Sequence, residues 1–193
     1  LIIPSTVCFR KGQRCLHPVS QGTMGYALPG AVGAYLASGR QTVAVIGDGS
    51  IMMNLQELQT IRYHNLPIKI IVVNNNVYSV IRKRQVDLFR ARTIGTDPSD
   101  GVECPNFQRV AACFEIPYIL IDNSTDLESK IGSVVNTDGP VLCEVMAVED
   151  QDYLRSSHGH NSKRRVVQRP IEDQAPFMPR ELLMSEMIIE PLD

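Results

Sequence analysis

The residues best suited to chemistry are Asp48, flanked by Gly47 and Gly49 and followed by Ser50, and the run Asn74-Asn75-Asn76. In both places an apolar, β-branched run stops abruptly: TVAVIG at 42–47, and IKIIVV leading into Asn74. A carboxylate and a neutral amide, each just beyond a strand, suit Mg²⁺. That ion takes oxygens in a near-octahedral array, typically one or two carboxylates together with phosphate oxygens. A backbone carbonyl just past Asn75 would add a third protein oxygen. Gly49 lets backbone approach a phosphate, and the N–H groups of Gly49, Ser50 and Ile51 open a helix, which favours an anion. The two stretches together therefore ask for a divalent ion with a diphosphate. Gly-Asp-Gly alone is more often a turn, and so is Asn-Asn. Their weight comes from lying at two strand ends one strand–helix–strand unit apart, where parallel α/β sheets bind ligands.

The elements that must position these residues alternate in type. TVAVIG (42–47) reads as a strand. Ile51, Leu55, Leu58 and Ile61 then recur on one helix face. Asn54, three residues before Glu57, predicts a capping box, and His64 predicts the end of that helix. Pro67 precedes a second strand, IKIIVVN (68–74), read as apolar throughout, as a strand covered on both faces must be. A helix over 107–115 leads to PYILI (117–121), and a helix over 126–136 leads to PVLCEVM (140–146). Residues 24–38 predict a helix with Pro29 in its first turn. Its Gly30, Gly33, Ala34 and Ala37 predict close packing on a neighbouring helix or a partner subunit. The pattern predicts an α/β fold: a doubly wound, mostly parallel sheet with helices on both faces. The domain is expected over 1–150, with 1–20 an irregular lead-in. Residues 151–193 are expected to form a C-terminal arm, packed on the domain or on a partner subunit and ending in a short helix near 180–187.

Composition narrows the functional classes. The 193 residues are 44% hydrophobic and 21% charged, with a net charge of −2. This is globular composition, with no basic footprint for nucleic acid or for an anionic membrane. No apolar run approaches the ~20 residues of a membrane span. Five cysteines, at 8, 15, 104, 113 and 143, form no C-x-x-C pair. They argue against a zinc site and for a reducing, cytoplasmic setting, and Cys143 reads as a buried small hydrophobe. His158 and His160 are too few to define a metal site. Lys163-Arg164-Arg165 reads as a solvated face.

The motif G-D-G, some two dozen residues, then N-N resembles that of thiamine diphosphate enzymes. The segment Gly22-Thr-Met-Gly-Tyr-Ala-Leu-Pro-Gly-Ala-Val-Gly-Ala34 is similar to the one preceding that motif in acetolactate synthase-like members, and the likeness extends to the late PIEDQAPFMPRE. It covers only the diphosphate-binding domain. The resemblance implies thiamine diphosphate and Mg²⁺ as cofactors, with metal ligands Asp48 and Asn75 by side chain and Val77 by its backbone carbonyl. It implies Gly22, Met24, Gly47, Asp48, Gly49, Ser50, Asn75, Val77 and Tyr78 as the cofactor-binding set. Met24 would be the wedge that bends the cofactor, and the Gly22 carbonyl would accept from its amino group, so both are given catalytic roles. Core packing is the other reading of Met24. The implied activity is decarboxylation of a 2-oxo acid followed by carboligation or aldehyde release, in a homo-oligomer with the active site between subunits. A glutamate that protonates the cofactor in the family comes from a domain this chain does not resemble. The alternative is therefore an isolated or degenerate domain with a regulatory or assembly role. Ile81 stands where pyruvate decarboxylases carry an acid, and Arg84 where biosynthetic acetolactate synthases carry Trp. Arg82, Lys83 and Arg84 are read either as contacts for a substrate carboxylate or as charges on a solvated helix face.

Overall fold

A computed structural model describes residues 7–18, 21–149, 151, 158–160, 166–170, 172–174 and 177–189. The chain divides into two units, Lys11–Asp150 and a second made of Leu1–Arg10 with Gln151–Asp193.

The larger unit runs α1 (Ala27–Ser38), β1 (Thr42–Gly47), α2 (Asp48–Ile51), α3 (Glu57–Tyr63), β2 (Ile68–Asn74) and α4 (Ser79–Leu88), then α5 (Phe107–Cys113), β3 (Tyr118–Ile121), α6 (Leu127–Asn136) and β4 (Val141–Met146). The four strands form one parallel sheet in the order β1-β2-β4-β3. Strand crossovers keep one hand. The chain therefore stays on one face while it moves β1→β2→β3, and changes face when it turns back to β4. Packing follows that rule. Leu58 and Ile61 of α3 and Phe107 and Ala111 of α5 join Leu28, Ile46, Ile70, Val72 and Leu142 in one apolar cluster. Val134 of α6 packs with Ile121, Val141 and Cys143 in a second cluster. The expected doubly wound sheet with helices on both faces is the observed fold. Each fully buried Ile or Val of β2 contributes about 1.5–3 kcal/mol of transfer free energy, which is why this central strand is the most apolar.

Two local expectations change. First, Lys69 breaks the apolar run of β2. It is 2% exposed, and its ammonium donates to the Thr137 and Gly139 carbonyls at 2.5 and 2.6 Å. Burial lowers its pKa, and the nearby Asp138 charge opposes that shift. The lysine fills the carbonyl-lined C-terminus of α6, where a cation is favoured, and ties α6 to β2. Second, the helix expected through Ile51 and Ile61 is broken into α2 and α3. Ile51, Leu58 and Ile61 remain fully buried, so the apolar spacing reports a shared face, while residues 52–56 turn between the two pieces. Asn54 forms no capping box; α3 begins after Gln56 with no side-chain cap. His64 does end α3. The small-residue stripe of α1, expected to pack on a neighbouring helix or a partner subunit, presents Gly33 and Ala37 away from the unit's core. Gly33 is exposed with no atom within 4 Å of an added Cβ, and the helix buries Leu28 and Ala31 instead.

The smaller unit contains the antiparallel pair β5 (His158–His160) and β6 (Val166–Gln168) and the short helix α7 (Arg180–Glu186), which was expected. Asp173, 8% exposed, is clasped by Arg169 and Arg180. The Lys163–Arg165 run lies outside the described residues.

Candidate functional site

β1 and β2 are neighbours, with Gly47 opposite Val73. Their carboxyl ends therefore bring Asp48 and the asparagine run together. The strand order reverses farther along the sheet, between β4 and β3, so the site is a crevice between two adjacent strand ends rather than the reversal point. Asp48 opens α2 and is 4% exposed. Its Oδ1 accepts from the Gly49 N–H at 2.8 Å and its Oδ2 from the Asn76 N–H at 2.7 Å. Burial raises its pKa above the ordinary carboxylate value; the Gly49 and Asn76 N–H groups and the Cys104 thiol act against that. With N–H groups facing both oxygens, an acceptor-only carboxylate fits this position and an amide does not.

Asn76 sits at φ +53°, which turns the chain sharply after β2. Asn75 is half-buried, and its side-chain amide has no hydrogen-bond partner among the described residues. Val77 is buried at 6% exposure. The Asp48 carboxylate, with the Asn75 amide and the Val77 carbonyl on the adjoining turn, offers a set of oxygen donors, next to the Cys104 thiol. That donor chemistry fits Mg²⁺.

Tyr78 packs its ring on Gly49. A Cβ at position 49 would lie 2.4 Å from the ring, and the phenol donates to the Gly49 carbonyl at 3.3 Å. Glycine is required there by this close approach. Burial, then the Cys104 and Asp48 groups, push the Tyr78 phenol above its ordinary pKa. Cys104 is pushed up to about 11 by burial and by Asp48, so it stays a thiol. Asp48, Gly49, Val77, Tyr78, Thr96 and Cys104 wall one narrow cleft. Thr96 is wholly buried, and its carbonyl accepts the Tyr78 N–H at 2.8 Å.

Met24 is 39% exposed, so core packing does not account for it. Its loop is held by the segment that begins at Asp48. The Gly25 N–H donates to Ser50 Oγ at 2.9 Å, and Asn54 Nδ2 donates to the Gly25 carbonyl at 3.2 Å. Asn54 thus serves the loop rather than the helix. Of the groups expected to greet a diphosphate, the Gly49 N–H is taken by the side chain of Asp48, while Ser50 accepts from Gly25 and keeps its own proton to donate. Gly22 stands at φ +56° in open space, with its N–H on the Pro18 carbonyl.

Sequence reasoning missed Asn54, Thr96 and Cys104 as parts of this site. Only Asn54 carried a signal, its spacing to Glu57, and that pointed to a cap. Arg82, weighed as a substrate contact, is engaged by Asp97 at 3.0 Å and by Glu149. Among the described residues no group of three His, Cys, Asp or Glu side chains could hold a metal, no helix is long and apolar enough to cross a membrane, and the cysteines are free.

The chain is similar to known proteins over most of its length. Residues 5–145 match the family model described as thiamine pyrophosphate enzyme, C-terminal TPP binding domain. The acetolactate synthase large subunit of Porphyra purpurea is 35% identical over 143 residues, covering 74% of this chain and 24% of that protein. The acetolactate synthase isozyme 2 large subunit of Escherichia coli (strain K12) is 39% identical over 125 residues, covering 64% and 22%. The chloroplastic acetolactate synthase of Arabidopsis thaliana is 34% identical over 151 residues, covering 76% and 22%. The chain thus spans 22–24% of the length of these relatives. With the matched segment running through both strand ends and their oxygen-bearing turns, the chain belongs to the thiamine pyrophosphate enzyme family and carries its C-terminal TPP-binding domain.

Proposed function

We propose that this chain is the thiamine diphosphate- and Mg²⁺-holding part of an acetolactate synthase-like enzyme that decarboxylates a 2-oxo acid and ligates or releases the product. Asp48 and Asn75 would hold the metal by side-chain oxygens and Val77 by its carbonyl. Gly47, Gly49, Ser50 and Tyr78 would line the diphosphate. The Gly22 carbonyl would accept from the cofactor's amino group, and Met24 would hold the two rings bent. When bound, thiamine diphosphate supplies an acidic carbon and an electron sink. Gly22 and Met24 would favour the bent form in which its internal base can reach that carbon, a proximity effect. The rest of the enzyme, including the family's glutamate, would come from further domains. The active site would form between subunits of a homo-oligomer in the cytoplasm, with the arm over 151–193 packed on this domain or a partner.

The observation that carries the reading is the 2.7 Å bond from the Asn76 N–H to Asp48 Oδ2, which seats the second motif on the first. The test is calorimetry of thiamine diphosphate binding to the full-length protein, with and without Mg²⁺. Asp48→Ala should abolish the Mg²⁺-dependent binding; unchanged affinity would refute the assignment. A panel of 2-oxo acids then identifies the substrate.

A second reading, a non-catalytic domain with a regulatory or assembly role, is favoured by the Tyr78 ring lying where a ligand would approach Gly49. It predicts no turnover of any 2-oxo acid by full-length protein that binds the cofactor.

A further inference from the structure

Glu144 is a carboxylate on β4, 7% exposed, that the reading above does not use. Among the described residues no lysine or arginine pairs with it. Its partners are neutral: Asn74 Nδ2 donates to Oε1 at 2.6 Å, and the Tyr118 hydroxyl donates to Oε2 at 2.5 Å. Burial and this carboxylate both push the Tyr118 phenol above its ordinary pKa, so it remains a donor. A buried carboxylate held only by neutral donors is a costly way to fill a sheet. Its position shows what that cost supports. Asn74 Oδ1 accepts the Asn76 N–H at 2.9 Å, the same N–H that reaches Asp48 Oδ2. The Asn74 carbonyl accepts from Ala147 at 2.8 Å. One line of hydrogen bonds therefore runs obliquely across the sheet, from Tyr118 at the amino end of β3 through Glu144 on β4 and Asn74 at the carboxyl end of β2 to Asp48 after β1.

An asparagine amide can present either its oxygen or its nitrogen to a neighbour. A carboxylate accepts and never donates, so Glu144 forces Nδ2 of Asn74 toward β4 and Oδ1 toward the turn. That orientation holds the Asn76 N–H and fixes the turn that carries Asn75 and Val77.

We propose that Glu144, braced by Tyr118, is a positioning residue for the metal site: it sets the orientation of the Asn74 amide and through it the turn that carries Asn75 and Val77. The inference rests on the metal reading of Asp48, Asn75 and Val77 given above. The experiment measures, in the full-length protein, the Mg²⁺ concentration that half-saturates thiamine diphosphate binding, together with the thermal midpoint free of metal and cofactor. Glu144→Leu removes both acceptors, and the Mg²⁺ requirement should rise about tenfold or more, as for other groups behind metal ligands. Glu144→Gln should stay within about threefold, because its amide oxygen still accepts from Asn74 while its NH₂ donates to the Tyr118 oxygen. A role in packing alone would lower the thermal midpoint and leave the Mg²⁺ requirement in place. An unchanged requirement in Glu144→Leu, or equal losses in the Gln and Leu variants, overturns the inference. If Glu144→Leu does not fold, Asn74→Ala carries the test: the requirement should rise by the same factor, and an unchanged value overturns the inference. Asp48→Ala is the control for the underlying reading. If Mg²⁺ dependence survives in that variant, it is the metal assignment that fails.

Discussion

Alanine at Gly25 should loosen the Met24 loop far more than alanine at Gly22, although both glycines have positive φ, +82° and +56°. Left-handed backbone costs an L-residue about 1–2 kcal/mol, and both variants bear it. Only Gly25 is enclosed. An added Cβ there would lie 2.6 Å from Asn54 Nδ2 and 2.7 Å from Met53 Cβ, whereas at Gly22 it meets nothing within 4 Å. Asn54 can swing away, at the loss of its hydrogen bond to the Gly25 carbonyl, about 1 kcal/mol. Met53 Cβ is fixed to the backbone and cannot move alone. The Gly25 peptide must shift and leave Ser50 Oγ, about 1 kcal/mol more. The totals are about 3–4 kcal/mol for Gly25→Ala and about 1–2 kcal/mol for Gly22→Ala. Amide hydrogen exchange, read by mass spectrometry on peptides spanning 22–28 of the full-length protein, reports this local opening. Exchange should accelerate about 100-fold or more in Gly25→Ala and about tenfold in Gly22→Ala, at roughly 1.4 kcal/mol per decade. Equal acceleration in the two variants would show that Asn54 and Met53 do not grip the loop.

Three further outcomes follow from the same geometry. Gly49→Ala should drive the Tyr78 ring off its seat and cost about 1–3 kcal/mol of overpacking; in thermal melts, adding Tyr78→Ala should restore most of the loss, and no restoration would place the clash elsewhere. Lys69→Met should cost about 2–4 kcal/mol by removing two charge-assisted bonds to the Thr137 and Gly139 carbonyls; an unchanged denaturation midpoint would contradict the tether. The loop at 93–102 should loosen in acid. The N–H groups of Asp97 and Thr96, with the Thr96 and Thr93 hydroxyls, hold Asp100 down at about 2, and the Ser99 hydroxyl and N–H and Arg82 lower Asp97. Their folded pKa values lie below the unfolded ones, so the stabilisation is present above the ordinary carboxylate value and lost as pH falls toward about 2. Carboxyl NMR titrations that put both groups at ordinary values would remove this prediction.

Much of the fold was readable because it rests on periodicity. Val43 to Ile46 and, apart from Lys69, Ile68 to Val73 are β-branched or apolar runs that end at glycine or asparagine, and each strand appears within a residue of its expected place. Ile51, Leu58 and Ile61 report a buried face whether or not the helix between them is continuous. Lys69 was passed over because a run of apolar neighbours outweighs one charge in any local reading, and its partners lie across the sheet at Thr137 and Gly139. Asn54 was misread for a related reason: a local pairing with Glu57 was the only one sequence spacing could offer, and the loop at Gly25 competed for the same amide.

The order of residue types along this chain, by itself, determined that a carboxylate and an amide stand at two strand ends joined by one crossover, and that apolar faces would cover the sheet between them. Those properties are local, since alternation, spacing and turn chemistry act within a few residues. Only the tertiary structure decided that the strands are adjacent, that the Asn76 N–H reaches Asp48, that Tyr78 closes over Gly49, and that Glu144 and Tyr118 stand behind Asn74. Each of these is a directional contact between residues remote in sequence. A hydrogen bond depends on ångström-scale placement, and that placement is set by sheet order and register rather than by the neighbours of either residue.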